Sequence, residues 1–265
     1  MSLLLGVAAA QGAIEKSTAE FPYRSQYDVN ILETAEFAAQ LNAVSVVDVR
    51  SKYEYDTLHV KGAINIPLDK NFIDNVRKLR SGNARPIVFY CNGKTCRKSY
   101  EAAALVINAG IRNVYAYDAG ILAWAEVRPE STVLRGKALI KISDLISEQE
   151  FTSHVLAPRP FAALYEQLGN KAVSLDIRDR VQRDNPVFGL GEERIPLDDL
   201  ARMDALIEVA KKYHKTLLIY DKAGHQIRWF QYYLREKGLR DYHFLKGGSD
   251  GYFKETLGLK EFGGK

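Results

Sequence analysis

The segment PIVFYCNGKTCRKSYEAAALVINAG, residues 86–110, decides the fold. Ile87 to Tyr90 is a short unbroken apolar run of the kind that makes a buried parallel strand. Tyr100 to Ala109 has the alanine-rich composition and apolar spacing of a packed helix, closed by Gly110. Between them lies a tight polar loop whose first residue is Cys91. Ligands of an open parallel sheet sit beyond the carboxyl ends of its strands, where a helix N-terminus offers unpaired N–H groups. Lys94, Arg97 and Lys98 add cations in the same turn, so the Cys91 thiol is expected to ionise easily and to act as a nucleophile beside an anion site. The plainer reading is an inert buried cysteine at a strand end. Gly93 and three cations are hard to explain by packing alone.

The remainder of the 265-residue chain sets the frame. Its length predicts two domains of roughly 120 residues each. The net charge of +4 is modest, with both signs interspersed, and asks for no nucleic acid. Cys91 and Cys96 are the two cysteines. They lie too close together to staple distant elements, and no His or second Cys pair nearby completes a zinc site. Residues 1–26 read as an N-terminal extension. Its apolar run is too short to span a bilayer, but the small residues after Leu5 resemble the end of an export signal without its basic start. That favours the bacterial periplasm over the cytoplasm; the alternative is a frayed terminus.

In order, Thr34 is a candidate cap for a helix over 35–41, and 44–50 is a strand ending in Asp48 and Arg50. A turn and short extended piece cover 59–68, and a helix runs from about Lys70 to Leu79. After the Cys91 unit come a strand over 113–117 and a turn into a short helix through Gly120 and Trp124. Strands alternating with helices at this spacing imply a parallel sheet flanked by helices on both faces. Asp48 and Arg50 are read as tying loops together, as is His59, and none is placed among the catalytic residues.

The ordered set Asp48-Val-Arg50, His59-x-x-Gly62-Ala63, Asn65-Ile66-Pro67, Tyr90-Cys91 with its polar loop, then Gly120 and Trp124, resembles a rhodanese domain over about residues 27–128. The resemblance implies a compact α/β fold and an active-site cysteine matching Cys91. A thiolate there attacks the outer sulfur of thiosulfate or a similar small anionic donor and holds it as a persulfide. It then passes the sulfur to a thiol, cyanide or a protein acceptor. Such ping-pong transfer needs no metal or organic cofactor. Backbone N–H groups from Asn92 to Cys96 are expected to cradle the terminal sulfur, which makes Asn92, Gly93, Lys94, Thr95, Cys96 and Arg97 the candidate substrate-binding residues. The loop departs from the commonest rhodanese form and resembles a Cys-x4-Cys subgroup. Cys96 is a candidate resolving thiol, or a small filler at the helix start.

After a linker over 129–138 the chain restarts, and residues 139–262 form the second expected domain. Ser147-x-x-Glu150 reads as a capping box. Asp176-Ile-Arg178 echoes the earlier Asp-Val-Arg, Ile195-Pro196-Leu197 echoes Ile66-Pro67-Leu68, and Gly247-Gly248 echoes the Gly120 turn. The offset is about 128 to 130 residues throughout, the mark of an internal duplication. Asp221 stands where the first copy has Cys91. A carboxylate cannot carry a persulfide, so this copy is expected to be silent, with Asp221 capping a helix and Trp229, Tyr232 and Tyr233 in the core. Arg228 is a candidate contributor to a donor pocket.

Two other classes of function remain. Cys91 to Arg97 also spells Cys-x5-Arg, the spacing of cysteine-dependent phosphatases and some arsenate reductases, although Tyr90 replaces their usual His. The third reading is a sulfur carrier or redox-sensing module that does not turn over.

Overall fold

The computed structural model describes residues 20–179 and 185–258. They divide into two compact units, with the boundary between Asp144 and Leu145.

The first unit contains α1 (Thr34–Gln40), β1 (Ser45–Asp48), α2 (Lys52–Thr57), β2 (Leu58–Val60), β3 (Ile64–Asn65), α3 (Phe72–Arg80), β4 (Ile87–Tyr90), α4 (Lys98–Asn108), β5 (Val114–Tyr117) and α5 (Gly120–Val127). The sheet order is β3-β1-β4-β5, and every pairing in it is parallel. Ile31 adds a parallel bridge to Ala116 on the outer side of β5. As its apolar run requires, β4 is central and wholly buried, from Ile87 to Tyr90. Helix α4 lays Tyr100, Ala102, Ala103 and Val106 against the sheet, joining a core that includes Val47, Phe89 and Cys91. Its alanines favour the helix and let the two backbones approach closely. Gly110, at φ +82°, then ends it by taking a left-handed conformation that a Cβ would disfavour.

Three expectations are corrected here. Thr34 is not the cap of α1: Glu33 holds that position, and the Thr34 hydroxyl lies 3.1 Å from Tyr117 Oη. Residues 1–26 are expected to form an N-terminal extension; of these, 1–19 lie outside the described residues, and 20–26 join the first unit, where Tyr23 packs on the core and Arg24 binds the buried Asp118. The stretch 129–138 is not an exposed linker. It opens with a 3₁₀ turn, Pro129–Ser131, and continues as β6 (Thr132–Leu134) and β7 (Lys137–Ala138). β6 pairs antiparallel with β2, and Thr132 is fully buried. Strands of two or three residues are too short to show a periodic pattern.

The second unit contains α6 (Glu148–Ser153), β8 (Val155–Leu156), α7 (Pro158–Leu168), β9 (Ala172–Asp176), β10 (Glu193–Arg194), α8 (Leu200–Lys212), β11 (Thr216–Tyr220), α9 (Ile227–Glu236), β12 (Tyr242–Leu245) and α10 (Gly248–Leu257). Its sheet is all parallel, in the order β10-β9-β11-β12-β8. Ser147 caps α6 by accepting from the Glu150 N–H. Trp229, Tyr232 and Tyr233 of α9 are buried, as expected. Each unit is thus an α/β fold of the expected class, a parallel sheet flanked by helices.

Candidate functional site

Cys91 is the first residue after β4, at the carboxyl end of the central strand. Its carbonyl accepts from the Ile121 N–H at 3.1 Å, which joins the loop to the start of α5. Gly120 makes this approach possible. At φ +75°, a Cβ there would lie 2.3 Å from the Cα of Gly93, so the two backbones touch only because both residues are glycine. The loop then turns at Gly93, whose carbonyl accepts from the Cys96 N–H at 2.8 Å, and enters α4 at Lys98.

The side chain after Cys91 is clamped. Asn92 accepts from Arg50 Nη1 at 3.2 Å and donates to Glu54 Oε1 at 2.8 Å. Arg50 is fully buried, doubly bonded to Asp48 at 2.9 and 2.6 Å, and bonded to the Leu58 carbonyl at 2.6 Å. Paired buried charges with this many hydrogen bonds hold one geometry, because losing any partner strands a charge in low dielectric. The Arg50 guanidinium keeps Glu54 below the usual carboxylate range against its burial. Asp48 and Arg50 therefore tie β1, β2 and the Cys91 loop together. Glu54 was missed from sequence, yet Ser51-x-x-Glu54 after a strand is a capping-box signal, and the box is present. His59 stacks on Tyr55, 4.0 Å between centroids, with Nδ1 2.7 Å from the Tyr55 carbonyl.

The two thiols are free and adjacent. The Cys91 thiol donates to the Cys96 carbonyl at 3.3 Å and lies 3.7 Å from Ser99 Oγ. The Gly93 amide favours the thiolate form of Cys91, and the amides of Asn92 and Lys98 favour that of Cys96. The expectation that Cys91 ionises easily is reversed. With 0% exposure, burial and the neighbouring Cys96 push its pKa well up. The neighbouring Cys91 thiol, two amides and the Lys98 charge bring Cys96 down from 9 to about 7, against its own burial.

The remaining candidates divide. Gly93 contributes its amide, but the Cys96 N–H is spent in the turn. Thr95 is exposed. Lys94 is paired with Glu20. Arg97 is 65% exposed and bound to Glu101 at 2.8 Å. A Cys-x5-Arg anion site needs that guanidinium over the loop, and here it is committed elsewhere. In the second unit Arg228 binds Glu148 at 2.5 Å and lies over Phe151. Asp221 is buried, accepting from the N–H groups of Gly224 and Gln226. Among the described residues no group of three or more His, Cys, Asp or Glu is placed to hold a metal, and no helix is long and apolar enough to cross a membrane.

A central parallel strand delivering a thiol to a glycine-closed loop, with a helix start behind it, defines a class of domain. Residues 33–127 match the family model of the rhodanese-like domain, and such a domain is present in the chain. Among curated proteins, 81 residues are 40% identical to the HTH-type transcriptional regulator Rv0324 of Mycobacterium tuberculosis, covering 31% of this chain and 34% of that protein. A further 95 residues' match, 32% identical, is to the tRNA uridine(34) hydroxylase of Cytophaga hutchinsonii, over 34% of this chain and 30% of that one. The chain thus spans about a third of the length of these relatives. Among solved structures, thiosulfate sulfurtransferase from Pseudomonas aeruginosa is similar over 88% of this chain and 43% of its own, at 19% identity and a TM-score of 0.39.

Proposed function

We propose that the chain is a sulfurtransferase that moves a sulfane sulfur from thiosulfate or a similar small anion to a thiol or cyanide through a persulfide on Cys91. The observation that supports it best is a buried free thiol, Cys91, directly after the central strand β4, with a second free thiol, Cys96, in the same loop and packed against the same core. Before attack, the Cys91 proton crosses to the Cys96 thiolate, so charge is relocated within the pair and none is created. The Cys91 thiolate then bonds to the outer sulfur of thiosulfate, the sulfur–sulfur bond of the donor breaks, and sulfite leaves with the electron pair. Cyanide attacking the outer persulfide sulfur takes it as thiocyanate and returns Cys91 as thiolate. The Gly93 amide stabilises negative charge at residue 91 in each step. In this reading residues 27–128 carry the chemistry, residues 139–262 are a duplicated copy that has lost its cysteine, and Cys96 is base and resolving thiol.

Thiocyanate production from thiosulfate and cyanide tests the reading. Activity lost in Cys91→Ala and retained in folded Asp221→Ala is expected; activity that survives Cys91→Ala refutes it. A second reading, a sulfur carrier or redox module, is supported by the closeness of Cys96 to Cys91. It predicts a stable gain of one sulfur at Cys91 with slow release to cyanide, read by mass. The relatives named for tRNA uridine hydroxylation or transcriptional regulation share only the matched segment, and their substrates are not carried over.

A further inference from the structure

We propose that Glu20–Tyr27 is a strap over the Cys91 loop, and that Glu20 occupies on Lys94 the place an anionic sulfur donor takes during turnover. This rests on the sulfurtransferase reading of Cys91. The strap is fastened firmly at one end and loosely at the other. At the firm end, Arg24 grips the buried Asp118 with two bonds of 2.9 and 3.0 Å. Tyr100 Oη donates to the same carboxylate at 2.6 Å, and Tyr27 stacks on Tyr100 with 5.6 Å between centroids. Bidentate pairing to a buried carboxylate is a strong contact. At the loose end, Glu20 pairs with Lys94, and their side chains are 49% and 44% exposed. The Lys94 ammonium also sits 5.5 Å from the Phe21 ring, which carries the Arg24 guanidinium at 4.3 Å.

These anchors flank the loop. Lys94 follows Gly93 directly, and Asp118 lies two residues before Gly120, whose backbone rests on Gly93. Cys91, three residues before Lys94, is fully buried, so a donor reaches it only after something moves. The half-exposed Glu20–Lys94 pair is weaker than the Arg24 anchor, since exposed ion pairs contribute little and the Arg24 anchor keeps the strap from unfolding. A dianion such as thiosulfate brings two charges to Lys94 against the single charge of Glu20, and displaces it by competition.

The test is Glu20→Gln in the full chain, read by two measurements. The first is the rate of Cys91 labelling by neutral iodoacetamide, mapped after tryptic cleavage at Lys94, which separates the two thiols. Release of an exposed pair should raise it about two- to five-fold at low salt. Added salt should bring the wild type to the variant's rate by screening the pair. The second is the KM for thiosulfate, expected to fall by a similar factor at unchanged kcat. Phe21→Ala should act in the same direction. Equal Cys91 labelling in wild type and Glu20→Gln, including no labelling in either, overturns the strap. Faster labelling in a protein whose wild type makes no thiocyanate keeps the strap and sinks the sulfurtransferase reading instead.

Discussion

Compared with each other, the two units solve one structural problem and diverge at one atom group. In each, a buried Asp–Arg pair ends the strand beside the centre, with Arg50 bonded to Asp48 and Arg178 to Asp176 in the same two-pronged way. In each, that guanidinium lies over a tyrosine ring, at 5.7 Å for Tyr90 and 5.4 Å for Tyr220. The residue directly after each central strand has a carbonyl that accepts from the start of the last helix: Cys91 from the Ile121 N–H and Asp221 from the Ser249 N–H. At Gly248 a Cβ would fall 2.5 Å from the Asp221 carbonyl oxygen, as one at Gly120 would strike Gly93. The difference is what faces the amides. In the first unit the head residue is a buried thiol with a second thiol in its loop, and in the second it is a carboxylate that accepts from two amides. The shared features therefore hold a loop in place, and only the residue at its head sets whether the amides are spoken for.

The largest way to break this comparison is to exchange the outcomes at the two heads. Cys91→Ala should lower thiocyanate production by more than about a thousandfold, as removal of a nucleophile does, with no loss of fold. Asp221→Ala should leave turnover per folded molecule intact. The next test is the paired glycine. Gly120→Ala and Gly248→Ala each force a Cβ into backbone at positive φ, and each should cost about 2–5 kcal/mol in denaturant unfolding. A large loss at one position with none at the other would end the structural equivalence.

Smaller effects sharpen it. The Cys96 pKa is lower in the folded chain than in the unfolded one, so it adds stability that is absent below about pH 7, grows toward 9 and is complete above that. Cys91, shifted upward, removes stability above 9. Cys96→Ser should abolish the rise between 7 and 9, on the order of 1–2 kcal/mol, measured by unfolding on either side of that window. Asp221 works in the opposite sense. Burial raises it from 3.8, so its contribution is full in acid and is lost as pH climbs through the folded value. Against Asp221→Asn, the wild type should lose ground from about pH 4 upward. Smallest of all, Arg97→Ala breaks an exposed i,i+4 pair and should cost below about 0.5 kcal/mol. Turnover should change little, whereas a phosphatase that depends on this guanidinium would lose orders of magnitude.

The sheet was legible where the chain pays attention to burial. Ile87–Tyr90 is apolar throughout because β4 is enclosed by β1 and β5, and α4 announces itself through alanine spacing. The loop's membership was legible as well, from cysteines, glycine and cations in one turn. Its electrostatics were not. Cations next to Cys91 in sequence turned out to bind Glu20 and Glu101, and the thiol whose pKa is lowered is Cys96. Spacing along a chain gives neighbours in number, while hydrogen-bond direction depends on how the loop coils. Arg24 and Asp118, 94 positions apart, meet through the tertiary fold with no local pattern to betray them.

The antiparallel pairing of β6 with β2 has a practical consequence for anyone who trims this chain. A fragment cut at residue 127 or 128, where the sequence resemblance and the family match stop, leaves the outer side of Leu58–Val60 without its ladder partner. Bare strand rims recruit whatever rim they meet, so such a fragment should self-associate, and one that runs on through Ala138 should stay dispersed.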